Sequence, residues 1–334
     1  MTAEMATLSD PKKASLLTRL NPLRTMNLSA RFYVALVIVV IVVLLGLAGF
    51  VYPTSSGEKV GSLYDAPGNG LLLGTDNFGH DVLAVLMAGT RTSLIIGLVA
   101  GTVATTIGVG IGLLAGFVGG WLEELLMGVT NVVLAIPSII VLILISISIP
   151  QSTIWSLAIV IGITSWPWTA RAVRAQASSV ATREHIDVAR LSGARLPEIL
   201  VKDVLPYILS YTVMAFVLQV SGAILAESAL SMLGLGPAGA DSLGIQLHWA
   251  LAFQAVASGA WWAFLPPTIV LTLVSFGFLL LQASLDEVFN PRLRRGKKKQ
   301  MKKAAARRAA EAKALAATAR TAIGTTRSTA GDSA

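Results

Sequence analysis

Apolar residues fall along this chain in long runs separated by short polar intervals. Six runs reach or approach the roughly 20 residues that cross a bilayer at about 1.5 Å per residue. They are approximately 32–52, 93–118, 128–149, 154–170, 208–233 and 263–284. The fourth is short before Arg171, and its helix is expected to continue past the lipid into water. Gly97, Gly101, Gly108, Gly110, Gly112 and Gly116 recur inside the second. Each would cost a soluble helix roughly 1 kcal/mol. In a membrane bundle they allow close helix contact. The pattern predicts an all-α polytopic membrane protein with six transmembrane helices.

Composition supports this. Hydrophobic residues make up 54% of the 334, and charged residues 13%, against about 25% charged in a soluble domain. The net charge of +8 is unevenly spread. From Arg292 onward there are 13 Lys and Arg against Glu311 and Asp332, so the remainder is slightly acidic. A nucleic-acid binder interleaves aromatics with its basic residues, and this tail has none. It suits salt-sensitive contact with anionic lipid, at about 1 kcal/mol per nearby cation. There is no cysteine, so disulfides and thiolate chemistry are excluded.

Loop charges set the expected orientation. The N-terminal arm has five Lys and Arg, the 53–92 segment only Lys59 and Arg91, 171–207 six, and 233–262 none. Six spans with both termini in the cytoplasm satisfy all of these. The first run follows basic residues as a signal peptide does, but its apolar core is too long, so it reads as a retained anchor. The expected layout is a cytoplasmic arm (1–31), a first transmembrane helix (32–52) and an external segment (53–92). A core with five further helices (93–290) and a basic cytoplasmic tail (291–334) follow.

One charged stretch interrupts the apolar pattern: EHIDVARLSGARLPEILVKDVLP, 184–206. Residues 184–192 read as a short helix that Gly193 ends in the left-handed conformation. Pro197 suits the first turn of a second helix, with Leu196, Ile199, Leu200 and Val204 on one face. Pro206 suits the start of the fifth membrane helix. The expected result is a cytoplasmic helix–turn–helix whose Ala189, Gly193 and Ala194 let a partner backbone approach.

The spacing Asp187-Val-Ala189, three residues, Gly193 resembles the EAA loop of ABC importer permeases. Other motifs extend the resemblance over about residues 30–295. LGTDNFGHDVL (73–83) is similar to a signature of the dipeptide/oligopeptide "C" type permeases. GLLAGFVGGWLEELLM (112–127), AIPS (135–138), SWPWTARAVRA (165–175), ILAESALSMLGLG (224–236), WWAFLPP (261–267) and LDEVFNPRLR (285–294) also match. The chain departs from the pattern at His80 and Asp187, where that family usually has Arg and Glu, at Asp203, where His or another residue is common, and at Tyr207, where Asn is common.

The resemblance implies a type I ABC importer permease fold in a bacterial-type inner membrane. It implies a sibling permease, two ATPase subunits and an external solute-binding protein as partners. It implies peptides as substrate, with nickel chelate, glutathione or haem as alternatives for the same machinery. The EAA loop would grip the ATPase through Asp187, Ala189, Arg190, Gly193 and Pro206. No GxxxxGK[ST] is present, so ATP and Mg belong on the partner ATPases and this chain is expected to bind no cofactor.

Glu227 is the one carboxylate well inside an apolar run, which makes it a candidate on the translocation path. A structural role at the outer end of its helix is the competing reading. Asp76, His80 and Asp81 fall in the external segment and are candidates for docking the binding protein. His80, His185 and His248 have no metal-ligand spacing. Arg171 and Arg174 share a helix face at the cytoplasmic boundary, while Trp249, Trp261 and Trp262 fit an outer aromatic belt. A secondary transporter or channel is the rival class, yet it would usually place more than one ionisable group in its spans. An intramembrane enzyme would need clustered catalytic residues, and none is found.

Overall fold

The structure is a computed structural model that describes residues 30–68, 70–149 and 152–289. The expectations for the arm before Ala30 and for the tail 291–334 lie outside the described residues. The helices through Asp286 belong to one unit.

Chain order gives α1 (Ala30–Ala48), then a looped segment, then α2 (Val82–Val118). A helix of 37 residues is about 55 Å long, well beyond the ~30 Å hydrocarbon core. It begins before the predicted second span, so the last part of the predicted external segment is helical. Asp81 sets this start: its side chain accepts from Leu83 N at 2.9 Å.

α3 (Gly120–Ala135) and α4 (Ser138–Ser148) follow. They break the continuous run predicted at 128–149 into two helices that meet at 80°. Pro137 lacks an N–H and disfavours helical backbone at the residue before it. Ile136 is accordingly extended, with φ −93° and ψ 126°.

α5 (Ile154–Ala181) opens on a Thr153–Ser156 capping box and carries the predicted fourth run on into polar sequence. α6 (Glu184–Leu191) and α7 (Leu196–Ile199) come next, then a π turn (Leu200–Val204) leading straight into α8 (Leu205–Met232). α9 (Leu243–Ala252) is a short helix that the apolar runs do not predict, and α10 (Trp261–Phe289) closes the described chain.

By length and hydropathy, four described helical stretches suit a membrane crossing: α1, α2, Leu196–Met232 and α10. The bent α3–α4 pair makes five if it is one span. Composition alone therefore does not reach the expected six, because Ser165, Trp166, Pro167, Trp168 and Arg171 dilute the apolar half of α5.

α2 is the central helix, and its glycines explain why. A β-carbon on Gly97 would lie 2.4 Å from Ile224, and one on Gly101 would lie 2.7 Å from Val220, both on α8. On the other side, a β-carbon on Gly112 or Gly116 would lie 2.6 or 2.4 Å from the α5 carbonyls of Ala170 and Arg174. Two neighbours thus approach α2 at backbone distance, as the glycine pattern predicts. Gly110 is the exception, with open space beside it.

Candidate functional site

The stretch from 184 to 206 has a buried side and an open side. Ile186, Ile199, Leu200 and Val204 are buried against Leu113 and Phe117 of α2 and Val173, Ala177 and Val180 of α5. Three of the four residues predicted to share a face do so, while Leu196 is exposed. On the open side Val188 and Leu191 are 62% and 88% exposed, beside exposed Asp187 and Arg190.

Gly193 ends α6 as predicted. Its φ is +77°, and a β-carbon there would meet nothing within 4 Å. Space is therefore not the constraint; the left-handed backbone is. Gly193 N donates to Arg190 O at 3.0 Å and Ala194 N to Ala189 O at 3.2 Å. Ala189 and Ala194 are partly buried. They pack against the buried cluster.

The second half differs from the predicted separate helix. Pro206 cannot donate an amide hydrogen, and the helix absorbs this by widening: Leu205 N donates to Leu200 O across the π turn. Leu196 to Met232 is thus one continuous helical stretch.

A contact not foreseen from the sequence ties α6 to that foot. The His185 ring stacks on Tyr207 at 4.5 Å, and the Arg183 guanidinium lies over the same ring at 5.3 Å. Arg190 lies over Phe117 of α2 at 5.0 Å and is 3.7 Å from Asp187. Tyr207 is one of the departures noted above, so its substitution is informative after all. Arg174, expected to mark the boundary, forms an ion pair with Glu123 that links α5 to α3.

At the other end of α8, Glu227 is fully buried. Ser231 Oγ donates to its Oε1 at 2.6 Å, and Ser93 Oγ donates to its Oε2 at 3.0 Å, with Ser228 Oγ at 3.4 Å. Ser93 in turn accepts from Leu243 N at 3.2 Å. The carboxylate therefore fastens α2, α8 and the start of α9 together. A groove of about 400 Å3 between α5, α8 and α10 has a largely apolar wall, including Trp168, Met214 and Leu218, into which Gln219, Ser221 and Gln282 are set. Gln219 Nε2 donates to Ser165 O and Thr169 Oγ1 at 2.9 and 2.7 Å, while Ser221 Oγ is buried and unpartnered.

The segment 73–83 is a hydrogen-bonded turn. Asp76 Oδ1 accepts from Phe78 N and His80 N at 2.8 and 2.9 Å, and its Oδ2 is 3.3 Å from His80 Nδ1. Asp81 is 1% exposed and also accepts from Tyr52 OH at 2.7 Å. It caps α2 and offers no surface, whereas Asp76 and His80 stay partly exposed. Trp262 Nε1 donates to Thr75 O at 3.1 Å. Among the described residues, no group of three or more His, Asp or Glu is placed to hold a metal.

The comparisons with known proteins agree on one family. The profile described as "Binding-protein-dependent transport system inner membrane component" matches residues 108–295. The dipeptide transport system permease protein DppC of Bacillus subtilis is 31% identical over 223 residues, covering 66% of this chain and 69% of that protein. The oligopeptide transport system permease protein OppC of Lactococcus lactis subsp. lactis is 29% identical over 225 residues, covering 67% and 76%. A solved inward-facing structure of the MetNI methionine ABC transporter aligns at TM-score 0.47 and 20% identity, over 60% of this chain and 96% of that one. The chain belongs to the family of binding-protein-dependent transport system inner membrane components and is an ABC importer inner-membrane permease.

Proposed function

We propose that this permease imports peptides, pairs with a sibling permease, and is driven by ATPase subunits that grip α6. The names of the similar permeases support the substrate class. The observation that carries the coupling role is the two-sidedness of α6. Its Ile186 face is locked into the bundle, while Val188, Leu191 and Asp187 face outward. A surface fixed on one side and free on the other passes a push into α8 through the unbroken Leu196–Met232 stretch. ATP binding by the partners closes them, displaces α6 and opens the path to the loaded binding protein; hydrolysis resets it.

In this reading the α6 end of α8 is cytoplasmic and the α9 end is external. The path runs along Gln219, Ser221 and Gln282, whose neutral polar groups suit a peptide backbone. Glu227 serves the architecture. Asp76 and His80 lie toward the binding protein.

Gly193 supplies the test, by substrate-stimulated ATPase activity of the assembled complex. Gly193→Val forces a β-branched residue into the left-handed region at roughly 1–2 kcal/mol, so stimulation falls while the protein still inserts. Gly193→Asn tolerates that backbone and retains most of it. Unchanged stimulation in Gly193→Val overturns the coupling role.

A further inference from the structure

The end of α8 away from α6 carries a polar site that neither the coupling segment nor Glu227 uses. A cavity of about 710 Å3 opens beside the loop joining α8 to α9, with Asp241, His248 and Trp249 in its wall. A recess of about 100 Å3 shares Asp241 and Trp249 with it and adds Asp76, Asn77, Phe78 and His80.

Three observations define the chemistry. Asp241 is half-buried, and among the described residues no Lys or Arg pairs with it. The His80 ring, in the same recess, already lies 3.3 Å from Asp76. Burial raises the Asp241 carboxyl above its ordinary value, against a hydrogen bond from Ser56 and the nearby His80, with the charge of Asp76 adding to the rise. Next, Asn77 is 5% exposed, and its side-chain nitrogen has no hydrogen-bond partner. A buried amide nitrogen left unpaired costs about 1–3 kcal/mol unless something accepts from it. Last, the wall is aromatic: Phe78 meets Trp249 edge to face at 5.4 Å and Phe253 at 5.6 Å.

A carboxylate that no Lys or Arg pairs with, set at an aromatic wall, favours a cation. An unpaired amide donor in the same recess favours a carbonyl. An ammonium group two bonds from a carbonyl satisfies both, and that is the amino terminus of a peptide. We propose that Asp241 and Asn77 form a subsite that holds a peptide's amino terminus at the mouth of the path, with the ammonium on the Asp241 carboxylate and the first carbonyl on Asn77 Nδ2. The larger cavity takes the following residues. The proposal rests on the peptide-import reading.

The test is equilibrium binding of trialanine and of N-acetyl-trialanine to the full permease–ATPase complex without the binding protein. Wild type binds trialanine about tenfold or more tightly over the acetylated form, the scale of one charge-assisted hydrogen bond. Asp241→Asn abolishes that preference, and Asp241→Glu keeps it. A wild-type complex indifferent to acetylation overturns the proposal whether or not the variants assemble, as does a preference that survives Asp241→Asn. An N-acetylated peptide with an internal lysine that binds as well as trialanine overturns the terminal assignment. Propylamine separates the two readings. If it binds through Asp241 while peptides do not, the ammonium site stands and peptide import falls. If peptides are taken up but acetylation has no effect on binding, import stands and the subsite falls. If neither probe binds, the subsite falls.

Discussion

The two ends of α8 treat polar groups in opposite ways. At the head, Glu227 is sealed, with hydroxyls from α2 and α8 satisfying both carboxylate oxygens. At the foot, Asp187 and Arg190 stay exposed around an open apolar pair, Val188 and Leu191. A carboxylate used internally is enclosed and fully bonded. An exposed surface is what the proposed ATPase contact requires. The comparison separates the two candidate sites: the head is enclosed within the bundle, and the foot is open to a partner under the proposed reading.

The largest effect that would break this division is expected at the head. Glu227→Leu strands Ser93, Ser231 and Ser228, at about 1–3 kcal/mol for each unsatisfied hydroxyl. Folded yield and thermal stability of the purified chain should fall sharply. A stable Glu227→Leu protein that fails only in uptake would return Glu227 to the translocation path.

A smaller effect is expected at the junction. Tyr207→Ala removes the ring between His185 and Arg183, worth about 0.5–1.5 kcal/mol. Yield should hold while stimulated ATPase activity of the complex drops, and Tyr207→Phe should keep most of it. Equal loss of yield and stimulation would make the stack purely structural.

The smallest effect is expected at the surface. Asp187→Asn loses an exposed pair with Arg190, worth under about 1 kcal/mol. Stability should be unchanged within error. A clear drop in thermal stability would place Asp187 with the architecture rather than the contact surface.

What the sequence made legible follows from range. α6, its end at Gly193 and the start of α8 near Pro206 depend on neighbouring residues, and they are found close to where local chemistry puts them. The glycine pattern in α2 likewise announced close packing, though not which partner each glycine meets. The bend at Ile136–Pro137 was readable from the proline but hidden by continuous hydropathy. α9 was hidden for the opposite reason. It is too short to register as a span, although Ser242 caps it through Ile245 N at 3.1 Å. Asp81 looked like a surface acid and is a cap, a role its place just before an apolar run signals. The Glu227 cluster was only half legible. Ser228 and Ser231 lie on the same helix, whereas Ser93 is 134 residues away and no local pattern reveals it.

The chain has no cysteine, so a single introduced one reports on one place. The most direct test of the coupling claim puts cysteine at Leu191 and, in a second variant, at exposed Leu72 in the looped segment before α2. Each is reconstituted with the ATPase subunits and treated with a short thiol-to-amine cross-linker, with and without ATP. Leu191→Cys is expected to join to the ATPase with a yield that changes on ATP binding, and Leu72→Cys is expected not to join at all. No cross-link from Leu191→Cys, or equal cross-linking from both positions, would contradict the account.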